Sequence, residues 1–166
     1  AFEAFLEKVM ADPAELARLN SDPELAANTI ELFEASPWIS EELVRRPSLI
    51  EAVGGEAAPH DSFSEASELR LYFRHEMLRI QAASICLRVP VFTTLEQTSD
   101  LADAVIDAAY RMAVKQVKNS HPPIQANYAP DDQLMVIAMG RLGMREFDLG
   151  SDADLNFVLP DSDSPE

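Results

Sequence analysis

Cysteine occurs once in this 166-residue chain, at Cys86, so no intrachain disulfide can form and a reducing cytoplasm is the natural setting. No apolar run reaches the roughly 18 residues that a membrane-spanning helix needs. No basic n-region leads into an apolar segment, so no secretory signal is legible. Basic residues are scarce: 13 Lys and Arg stand against 29 Asp and Glu, a net charge of -16. Nucleic-acid binding relies on basic surface that displaces counterions from phosphates, and a field of the opposite sign opposes it. A polynucleotide ligand is therefore disfavoured, and solubility alone would account for much of the acid. His60, His75 and His121 have no metal-ligand spacing with Cys86, which argues against zinc. The G-x-S-x-G elbow of serine hydrolases is missing.

What remains is a chain with 47% hydrophobic residues, enough for a real core. Its first three-quarters has helical spacing. Phe2, Phe5, Leu6, Val9 and Met10 form one stripe. Asp12-Pro13, Asp22-Pro23 and Ser36-Pro37 each place a polar side chain before a proline, the pattern of a capped helix start. The second of these helices directs Leu25, Ile30 and Phe33 inward; the third carries Trp38, Ile39, Leu43 and Val44 until Pro47 interrupts it. Gly54-Gly55 through Pro59 breaks the pattern. A long helix is predicted from about Ser64 to Leu87, with Leu69, Phe73, Met77, Ile80 and Ala83 on one face and Arg70, Arg74, His75 and Arg79 on the other. After Pro90, Thr93 and Glu96 have capping-box spacing for a helix running to about Asn119. Pro122-Pro123 and Pro130 enclose a linker. From Gln133 the character changes: Leu134 to Met139 reads as a buried strand, Gly140 to Gly150 as a glycine-punctuated connection with room for one helical turn, and Asp152 to Leu159 as a second strand ended by Pro160. The expected architecture is α+β, a helical bundle followed by the first strands of a sheet, divided as 1–60, 61–130 and 131–166. The first residue is alanine and the last six are an abrupt acidic stretch, which suggests a piece of a longer protein.

The chemistry concentrates at Met139-Gly140-Arg141 and Asp152-Ala153-Asp154-Leu155. On a strand, residues two apart point to one side, so Asp152 and Asp154 would present their carboxylates together while Ala153 and Leu155 face the packed side. A divalent cation relieves the repulsion of two such carboxylates and prefers oxygen ligands. Gly140 and Gly143 would let backbone amides approach a polyphosphate; Gly150 and Ser151 add a flexible approach and a hydroxyl, and Arg141 or Arg145 positive charge. Asp-x-Asp by itself is more often an exposed acidic turn. An EF-hand is excluded, because its glycine and distal glutamate are missing after Asp152.

The run Val136 to Gly143, then Arg145-Glu146, then Gly150-Ser151-Asp152-Ala153-Asp154-Leu155 resembles the nucleotidyltransferase signature of bacterial glutamine synthetase adenylyltransferases. Leu69-Arg70 with Phe73 to Ile80 resembles that family's arginine-rich segment, and Ser99 to Ala104 the helix that follows it. The likeness covers roughly residues 65–159; residues 1–64 share only a helical pattern. It implies a nucleotidyltransferase-type sheet and a two-half enzyme. One half transfers AMP from ATP to a tyrosine of glutamine synthetase; the other removes it by phosphorolysis, under control of glutamine and the PII signalling protein. By resemblance Asp152 and Asp154 match the metal-binding pair that holds Mg2+, and Gly140 and Ser151 lie near the nucleotide phosphates. The wording is closer to the adenylylating half. Met144 departs from the family, where a second glycine is usual. A third carboxylate is expected from a later strand, so the isolated piece is expected not to turn over. Two other readings stay open: a non-catalytic helical docking or regulatory module, and a nucleotidyltransferase with a small-molecule acceptor.

Overall fold

The computed structural model describes residues 1–58, 62–122 and 134–159. Pro123, Pro130, Pro160 and His60, which entered the sequence reading, lie outside them. The described elements are α1 (Phe2–Ala11), α2 (Pro13–Ser21), α3 (Pro23–Ala35), α4 (Pro37–Arg45), a 3₁₀ segment (Pro47–Ala52), α5 (Ala66–Cys86), α6 (Val91–Ser120), β1 (Met135–Ala138), α7 (Gly140–Gly143) and β2 (Leu155–Val158). This is an α+β chain, mainly helical, with one small antiparallel sheet. None of the described helices is long and apolar enough to cross a membrane.

The chain forms two compact units, Ala1–Pro59 with Arg74–Thr94, and His60–Phe73 with Leu95–Glu166. In the first, short helices are set off by their caps. The Asp12 carboxylate accepts from the amides of Ala14 and Glu15, Asp22 from Leu25, and the Ser36 hydroxyl from Ile39, each followed by proline at the first helical position. The helices enclose Phe5, Val9, Leu32, Ile39, Leu43, Ile50 and Leu78. Two residues of the expected stripes are outside. Met10 is 63% exposed and Ile30 48%, while Leu32 and Thr29 are enclosed instead. At a helix rotation of about 100° per residue a face can shift by one position without altering the sequence pattern much. The charged face read on α5 is tied to acids: Arg74 pairs with Glu42 at 3.3 Å, Arg79 with Glu76 at 2.8 Å, and His75 Nδ1 lies 3.0 Å from Glu76. Glu76 is itself buried and also accepts from the Ala58 amide at 2.8 Å. Burial pushes its carboxyl up, but the Ala58, Arg79 and His75 hydrogen bonds outweigh that and leave it below its ordinary value.

The helix expected to start at a Thr93–Glu96 capping box starts earlier, at Val91. Thr94 closes the first turn by donating to the Pro90 carbonyl, so Thr93 sits inside the helix, exposed. β1 and β2 pair antiparallel with Val136 opposite Phe157 and Ala138 opposite Leu155. The expectation of a buried β1 is corrected: Met135 is 62% and Ile137 44% exposed, and only alternate residues are partly covered. Among the described residues the sheet has two strands, too few to enclose both faces of either. Its second strand begins at Leu155 rather than Asp152.

Candidate functional site

The glycine turn follows directly from β1. Met139 has an extended backbone, and α7 is a single turn that returns toward the strand it leaves. Gly143 is forced by this return, because a Cβ there would stand 2.5 Å from the Ala138 carbonyl oxygen. Gly140 is forced differently: its φ is +56°, and a Cβ would stand 3.1 Å from Oδ2 of Asp154. The Asp154 carboxylate therefore lies against a bare α-carbon. Its backbone joins the ladder too, since the Met139 N–H donates to the Asp154 carbonyl at 2.9 Å. Asp152 and Ala153 precede the strand, and both are exposed. Asp154 also precedes β2 and is tied to the end of β1 through its carbonyl alone, and Ala153 does not face a packed side. The turn at Leu149-Gly150 comes before them, and Asp152 lies outside the paired residues of the ladder.

Three other predicted site residues gather around a residue that the sequence reading passed over. The Arg141 Nη1 meets Asp148 Oδ2 at 2.6 Å, the Ser151 hydroxyl donates to Asp148 Oδ1 at 2.7 Å, and the Gly150 N–H donates to the same oxygen at 3.1 Å. The Ser151 hydroxyl foremost, with the Gly150 amide and the Arg141 guanidinium, holds the Asp148 carboxyl below its ordinary value against the opposing effect of burial. The spacing Asp148-Leu149-Gly150-Ser151 is an Asx-turn pattern, and that was the available signal. Asp148 is thus saturated by its own loop. Among the described residues, the carboxylates of Asp152 and Asp154 take no such hydrogen bond or ion pair.

The turn is also held from α6. The Thr98 hydroxyl donates to the Phe147 carbonyl, and the Ser99 hydroxyl accepts from the Phe147 N–H at 3.2 Å. Thr98 and Ser99 are fully buried and Phe147 nearly so. Arg145 forks onto Asp100 and Asp103, one α6 turn apart. Slight burial works against its charge, but these two carboxylates outweigh it and raise its pKa further. Arg145 has φ +61°, a left-handed conformation that costs a non-glycine residue about 1 kcal/mol. Sequence reading offered Arg141 or Arg145 to phosphate; the structure pairs Arg145 with two carboxylates of α6.

Chemically, the arrangement offers one exposed carboxylate, Asp154, against the open α-carbon of Gly140, with a second exposed carboxylate, Asp152, two residues earlier in the chain. That donor set suits a divalent cation of the magnesium or calcium kind. No group of three or more ligating side chains occurs among the described residues.

Residues 52–166 match the family model described as glutamate-ammonia ligase adenylyltransferase, and the chain belongs to that family. Curated relatives called bifunctional glutamine synthetase adenylyltransferase/adenylyl-removing enzyme include one from Methylococcus capsulatus, 32% identical over 84% of this chain and 17% of the relative. Those from Hahella chejuensis and Pseudomonas aeruginosa are 27% and 25% identical, over 93% and 92% of this chain and 19% and 18% of theirs. The chain thus spans less than a fifth of the length of these relatives. No solved structure matches it.

Proposed function

We infer that this chain is the part of a cytoplasmic glutamine synthetase adenylyltransferase that leads from a helical region into the nucleotide site, with residues 131–166 opening the catalytic domain. The observation that carries the reading is Asp154, uncompensated and set against the bare α-carbon of Gly140. A side chain at Gly140 would crowd that carboxylate and narrow the space a metal-bound phosphate needs.

In this reading Asp152 and Asp154 hold Mg2+, which when bound would supply charge neutralisation at the phosphates of ATP. Gly140 and Gly143 keep the turn close to β1 so that its amides face the nucleotide. Gly150 and Ser151 maintain the approach to the acids by immobilising Asp148. Arg141, half-exposed beside Asp148, has guanidinium donors left over for a phosphate oxygen. The reaction is transfer of AMP from ATP to a tyrosine of glutamine synthetase, or its removal by phosphorolysis, with the PII signalling protein as regulator of the whole enzyme. The acceptor follows from the relatives' names, because nothing in the turn selects a tyrosine over a small molecule.

Titration calorimetry tests this. ATP binding by the chain should require Mg2+ and should be lost in Asp154→Asn. Binding that is indifferent to magnesium, or retained in the variant, would sink the assignment and favour the docking module.

A further inference from the structure

Arg145 presents a puzzle of residue choice. It occupies the position at which α7 has ended and the chain turns left-handed, where glycine or asparagine is the usual occupant. Nothing about the backbone asks for arginine. Its side chain, however, reaches two aspartates spaced three apart on α6, and Phe147 is gripped from the same helix by both its N–H and its carbonyl. Between these anchors and Gly140 the loop is bonded to itself. Met144 N–H donates to the Gly140 carbonyl, Arg145 N–H to Leu142, and Glu146 N–H to Arg141, at 2.8–3.1 Å. Displacing Arg145 therefore moves Gly140, and with it the surface against which the Asp154 carboxylate rests.

We propose that Arg145, through Asp100 and Asp103, is a positioning residue for the nucleotide site: it fixes the glycine turn at the distance from Asp154 that a metal–triphosphate complex needs. It touches no substrate. The role rests on the magnesium–nucleotide reading above and adds to it a cause for affinity that lies on α6, outside the signature motif. The Thr98 and Ser99 bonds hold Phe147 by its backbone, whereas the two-carboxylate fork holds Arg145 by its side chain and fixes direction as well as distance.

Arg145→Gly separates the role from simple support of the fold, because glycine relieves the left-handed backbone while removing the fork. Calorimetric titration with Mg2+-ATP, alongside thermal unfolding, is the measurement. The expected result is a melting temperature within a degree or so of the parent, as exposed ion pairs contribute little, and affinity weakened roughly fivefold. Reversing the pair, Arg145→Glu with Asp100→Arg and Asp103→Arg, should recover part of that loss, whereas Arg145→Glu alone should not. Equal affinity in the parent and Arg145→Gly overturns the positioning role and leaves the nucleotide site standing. Affinity that falls only in step with melting temperature also overturns it. Failure of the parent itself to bind Mg2+-ATP overturns both readings.

Discussion

In the unit formed by Ala1–Pro59 and Arg74–Thr94, Phe5, Leu32, Ile39, Leu43, Ile50 and Leu78 are sealed from solvent by short capped helices. Within the glycine turn of the other unit, Leu142 and Phe147 are the enclosed apolar side chains among the described residues, and position is set as well by hydroxyls, carboxylates and guanidinium groups. Apolar burial is strong but undirected, and it tolerates small shifts of a helix face. Hydrogen bonds and forked ion pairs contribute less each, but they fix angles. A region that must hold an oxygen at a set distance from a phosphate benefits from the second kind of restraint, and a scaffold from the first.

The contrast predicts unequal responses to mutation. The largest should come from Leu32→Ala, which empties an enclosed site and should cost about 2–5 kcal/mol in chemical denaturation; a loss under about 1 kcal/mol would mean the helical unit is not held by its core. Gly143→Ala should cost about 2–3 kcal/mol, because its Cβ would meet a backbone carbonyl that cannot move aside. Protection of the β1 amides, read by hydrogen exchange, should fall with it. Glu76→Gln should cost about 2 kcal/mol at neutral pH by weakening hydrogen bonds from Ala58, Arg79 and His75. The folded carboxyl titrates below its ordinary value near 4.5, so the unfolded chain binds more protons in that window. Its contribution is complete above the ordinary value and is lost as pH falls through the folded value. Acid unfolding of Glu76→Gln should consequently lack part of the parent's pH dependence. The smallest effect belongs to Phe157→Ser on the exposed sheet face, within about 0.5 kcal/mol.

The same contrast decides what the amino-acid order made legible. Asp12-Pro13, Asp22-Pro23 and Ser36-Pro37 were readable because a cap and its proline are local: the residue that caps and the amide it satisfies are neighbours in the chain. Glycine punctuation at Gly140 and Gly143 was readable for the same reason. Ile30 and Leu32 were exchanged because periodicity gives the width of a face but not its centre, which α1 and α4 decide by packing. Thr93 had capping spacing, yet Pro90 had already started the helix and Thr94 closes its first turn. Arg145 stood beside Arg141 as a candidate for phosphate because its α6 partners lie more than forty positions earlier in the chain, a separation that no local pattern encodes. Asp152 was placed in a strand because alternation of acid and apolar residues looks alike in a strand and in the extended approach to one.

Manganese can replace magnesium and broadens the amide resonances of residues near it, so it reports directly where the cation binds. Substoichiometric Mn2+ with ATP should broaden Gly140 and the residues around Asp152 and Asp154 first, leaving the acidic helices of the other unit sharp. Broadening spread evenly over the surface of this strongly acidic chain would mean that the two aspartates are no site at all.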